Sequence, residues 1–167
     1  MTRNARLNIP ASVHSVVFRR IDHVIRRDPT AKRVFRTIRS WEGGASDALE
    51  FTPNGCPALR LTPGQGGDQW YGPSGFETSL LIDCEVYAAG NNVEDVMDLV
   101  QVVRLALYPI DRVAGLAIQL ALKADGASET GQPLFGSPGV RVVVAADVTM
   151  MQATFQIQID TLNTLNA

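Results

Sequence analysis

Few side chains in this sequence could do chemistry, and their spacing assembles no familiar reaction centre. Histidine occurs twice, at His14 and His23. Both fall on one apolar-periodic stretch, and nine steps of about 100° turn them to opposite sides of a helix, so they cannot share a metal ion. As solvated or capping side chains they need no further role. The two cysteines, Cys56 and Cys84, have no metal-ligand spacing. A disulfide between them stays open, while the composition favours two free thiols in a reducing compartment. Cys56 has no nearby histidine to activate it and sits among Gly and Pro, which reads as an inert loop thiol. The G-x-S-x-G peptide of a nucleophile elbow is absent. Gly64, Gly66 and Gly67 invite comparison with a phosphate loop, but no helix pattern begins after them and no lysine stands beside them. Glu94, Asp95 and Asp98 cluster at the start of a predicted helix, where capping and solvation account for them. The sequence therefore points to no enzyme, no cofactor and no metal.

What remains is a set of side chains suited to contact. Two Gly/Pro/Ser-rich segments, about 63–77 and 125–139, read as long loops, yet they carry Trp70, Tyr71, Phe76, Leu134 and Phe135. Aromatics on loops either fold back on the core or anchor a neighbour, and the reading here favours docking. With Arg36 and Arg39 they make up the candidate subunit or partner interface. Charge is also segregated. Residues 1–41 hold ten basic and two acidic side chains, a charge of +8, whereas residues 42–167 hold five basic and fifteen acidic, a charge of −10. Such a split suits head-to-tail binding between copies, or a strongly charged neighbour. The basic segment would also attract nucleic-acid phosphates, but its arginines lack the interleaved aromatics of a single-strand binder.

The elements that must position these residues follow from hydrophobic periodicity. With 167 residues, 46% of them hydrophobic and 19% charged, the chain suits a single domain spanning 1–167, with a flexible N-terminus over about 1–11. No stretch reaches the roughly 20 apolar residues of a membrane span, so no membrane partner is expected. Arg3 and Arg6 are followed by no apolar run of signal-peptide length, so export is not expected either. Ser12 is placed to cap a helix to about Arg27, whose apolar stripe includes Val16, Val17, Ile21, Val24 and Ile25. Asp28-Pro29 reads as a break, or as the cap and first position of a second short helical turn. Strands are predicted over 34–41, 58–62 and 78–89, the last with Leu80, Ile82, Cys84 and Val86 facing one way and Asp83, Glu85 and Tyr87 the other. Asn92 caps a second helix with the stripe Val93, Val96, Met97, Val100, Val103 and Leu107. The remainder reads as sheet: Leu116 to Leu122, 140–147 and 151–161. The fold class is therefore α+β, a mainly antiparallel sheet flanked by two amphipathic helices.

The first helix (SVHSVVFRRIDHVIRR), the short strand in CPALRLTP, the strand–helix pair TSLLIDCEVYAAGNNVEDVMDLVQVVRLAL and the closing strand ATFQIQIDT together set a layout. It resembles the tail terminator (tail completion) proteins of tailed bacteriophages. The resemblance spans about residues 12–161 and is one of pattern, so it transfers no individual functional residue. It implies a virion protein whose antiparallel sheet is backed by two helices. Six copies would close into a ring on the end of the tail tube, in a virion assembled in the host cytoplasm. The implied partners are the chain itself as a homo-hexamer, the tail tube protein and the head-tail connector, with DNA passing through the bore without specific binding. The long segments at 63–77 and 125–139 depart from the family's pattern. Two alternatives are another neck or head-closure connector, and a small ligand- or nucleic-acid-binding module.

Overall fold

In a computed structural model of the chain, the described residues are 3–4, 9–10, 13–40, 52–64, 66–70, 75–122, 127–130, 133–145 and 147–164. The centre is one long antiparallel pair, β6 (Gly75–Ala89) with β10 (Val148–Thr164), joined through fifteen residue pairs from Met150↔Ala89 to Thr164↔Gly75. Shorter strands extend it on both sides. Beside β6 lie β4 (Ala58–Pro63) and β5 (Gly67–Trp70); β3 (Thr37–Ser40) pairs in parallel with β4. Beside β10 lie β7 (Ala127–Thr130), β8 (Leu134–Phe135) and β9 (Gly139–Ala145). The result is an eight-stranded, mostly antiparallel sheet in a single domain, of the α+β class that the sequence predicts. A separate two-stranded ladder joins β1 (Arg3–Asn4) and β2 (Ile9–Pro10), within the stretch expected to be flexible.

Helices cover one face of the sheet. In α1 (Val13–Arg27), Val16, Val17, Phe18, Ile21 and Ile25 are buried, so the predicted stripe holds and gains Phe18. Ser12, its proposed cap, lies outside the described residues. Helix α2 (Pro29–Val34) begins as Asp28 allows: the carboxylate accepts from Ala31 N at 2.7 Å and proline fills the first position. Val34 ends this helix, so the strand predicted from 34 starts later, at Thr37. Helix α3 (Val93–Leu107) is capped by Asn92, whose side-chain oxygen accepts from Glu94 N at 3.1 Å. α1 and α3 pack on β6, and α3 also reaches β10. Between helices and sheet lies the core of Phe18, Ile21, Leu59, Ile82, Leu107 and Ile157, all fully buried. Burying each such side chain contributes about 1.5–3 kcal/mol.

Four expectations are corrected. Leu116 to Leu122 is no strand but part of a third long helix, α4 (Arg112–Leu122). Asp111 caps it, accepting from Val113 N at 2.9 Å, and its main-chain oxygen accepts from Gly115 N at 2.9 Å. Alanine, leucine and glutamine favour helix, and here that propensity overrides the alternation. The 63–77 segment holds strand β5 and the start of β6 rather than only loop, because β5 pairs along the long strand β6. The 125–139 segment contributes β7 and β8 to the sheet. In α3, Val93 and Met97 are exposed at 49% and 37%, while Leu99 and Ala106 take their places in the buried stripe. No helix among the described residues is long and apolar enough to cross a membrane.

Candidate functional site

The sheet face turned away from the helices carries most of the polar side chains that the core does not use. Odd-numbered residues of β6, even-numbered residues of β10 and even-numbered residues of β4 share it, because neighbours in register project to the same side. At one end the groups form a chain across four strands. Arg60 pairs with Glu85 at 2.6 Å. The Tyr87 hydroxyl donates to Glu85 at 2.6 Å, Gln152 Nε2 donates to the Tyr87 oxygen at 2.7 Å, and Arg141 Nε donates to Gln152. Tyr87 and Gln152 are buried there with Cys56, Ala58 and Met150. Burial, followed by the hydrogen bond to Glu85, pushes the Tyr87 phenol well above its ordinary range. Toward the other end the face opens. Gln156 donates to Asp83 at 2.9 Å, and Gln158 Nε2 donates to Ser79 at 3.4 Å and to Asp160 at 3.1 Å. Gln69 and Glu77 border the same shallow hollow as Ser79, Gln158 and Asp160. Carboxylates and carboxamides thus dominate the open part of this face, with Arg60 and Arg141 at its other end.

The thiols do not suit nucleophilic chemistry. Both are free and buried, and burial raises both, Cys84 further because Asp83 and Glu85 flank it. The glycine run is explained by packing rather than by phosphate. A Cβ at Gly66 would stand 2.3 Å from Ser79 O and 2.9 Å from His14 Nε2, and Gly64 N donates to Leu81 O at 2.8 Å. Among the described residues no group of three His, Cys, Asp or Glu side chains could hold a metal ion.

The proposed interface residues do not come together as one patch. Leu134 and Phe135 lie on β8: Leu134 is exposed, while the half-buried Phe135 ring packs against the core with the Arg104 guanidinium 5.8 Å from its centroid. Phe135 is therefore committed within the chain. Trp70 ends β5 and stands in register with Phe76 of β6, across the sheet from β8; Tyr71 lies outside the described residues. Arg36 donates to Asn54 O at 2.6 Å, and Arg39 stands on β3 beside Arg60. The basic segment is likewise partly used internally. Arg26 bonds Asp22 at 2.7 Å, Ile38 O at 3.0 Å and Ser40 Oγ at 2.6 Å, tying α1 to β3.

Sequence reasoning missed two exposed apolar surfaces. One is the corner from α3 into α4, with Tyr108, Ile110, Val113 and Leu116 exposed, Ile110 at 92%. The other is β9, where Val140, Val142 and Val144 are exposed. The alternation of valine in GVRVVVA was a readable signal for the second; the strand reading of 116–122 hid the first. No protein-family model matches this chain, and no curated protein matches its sequence.

Proposed function

We propose that the chain is a structural subunit of a phage-type tail terminator, acting as a ring that caps the tail tube and joins it to the head connector. The observation that carries this reading is the division of the sheet into two faces. One face is buried under α1 and α3; the other bears Glu77, Asp83 and Asp160 among glutamines on its open part, and Arg60, paired with Glu85, and Arg141 at its other end. A subunit placed with that open face toward a bore would present carboxylates and carboxamides to passing DNA, which repel or weakly solvate phosphates rather than hold them. The helices would then form the outer wall. Ring closure needs two different contact surfaces on each copy. The exposed apolar corner of α4 and the exposed valines of β9 are two such surfaces.

The test is functional capping. Purified protein added to polymerising tail tubes of its phage is expected to stop growth and to be seen as a six-fold ring at one tube end. Tubes that grow unchanged in its presence would refute the proposal. The rival reading, a nucleic-acid-binding module, draws on the exposed Arg27, Lys32 and Arg33. It predicts a salt-sensitive shift of DNA in electrophoresis, and the terminator reading predicts no shift at physiological salt.

A further inference from the structure

We draw no further inference here: the strongest candidate, the exposed valine face of strand β9 formed by Val140, Val142 and Val144, carries nothing because nothing in the structure shows what covers it.

Discussion

Gly66 shows how a single atom can be excluded by its surroundings. Its backbone passes so close to β6 that an added Cβ would meet the main-chain oxygen of Ser79, an atom fixed in the sheet, at 2.3 Å. Gly66→Ala is therefore expected to destabilise the domain by about 2 kcal/mol through forced backbone movement, measured by urea unfolding. Gly67, with open space around its Cβ position, is the control. Tyr87 makes a different case. Its phenol bridges Glu85 and the buried Gln152, so Tyr87→Phe leaves the Gln152 amide without its acceptor, while Glu85 keeps Arg60, and costs about 1–3 kcal/mol. The same site sets a pH dependence. The folded-state pKa of Tyr87 is raised above its ordinary 10.0. Its neutral form is thus favoured by folding, and the associated stability is complete below about pH 10 and is lost as pH rises further. Chemical denaturation across that range is expected to show a decline that Tyr87→Phe makes shallower.

Among the elements the β6–β10 pair is central, since every other strand except β3 and the β1–β2 ladder pairs with one of its two members. Ile157 sits opposite Ile82 in the middle of that pair, and both are fully buried. Ile157→Ala is expected to cost about 2–5 kcal/mol, whereas Gln156→Ala next to it, on the open face, should cost far less. The sequence made these two strands legible because one face is polar and the other dry, which imposes an alternation from Leu80 to Val86, broken only by Leu81, and from Ala153 to Ile159. The caps Asp28 and Asn92 were legible for a similar local reason, a side-chain oxygen followed by helix-forming residues. Helix α4 was not, because Leu116, Ile118, Leu120 and Leu122 satisfy period two while alanine and glutamine between them favour helix. Asp111 is the signal that could have decided it: Asp111→Ala removes the cap and is expected to lower helix content at 222 nm with a loss of about 1 kcal/mol. The short strands β5, β7 and β8 stayed hidden because pairing with a long neighbour, rather than their own residues, makes them strands. For the same reason the candidate interface was only partly legible. Leu134 is exposed as the docking reading requires, but Phe135 is spent on Arg104.

For the whole molecule, three features bear on a ring. The sheet has one face buried under helices and one that is polar; among the described residues, exposed apolar side chains lie on β9 and at the corner from α3 into α4; and the charge of the chain divides between its first quarter and the rest. Each alone fits many domains. Together they are what the proposed ring subunit would need, unlike surfaces for its copies and a polar face left free. The measurement that tests this most directly is the solution mass of the concentrated protein by light scattering, with electron images of the same sample. Closed six-fold particles of about 110 kDa, six times the 18.1 kDa chain, are the expected result. A single species of 18.1 kDa at every concentration, with no rings in the images, would contradict it.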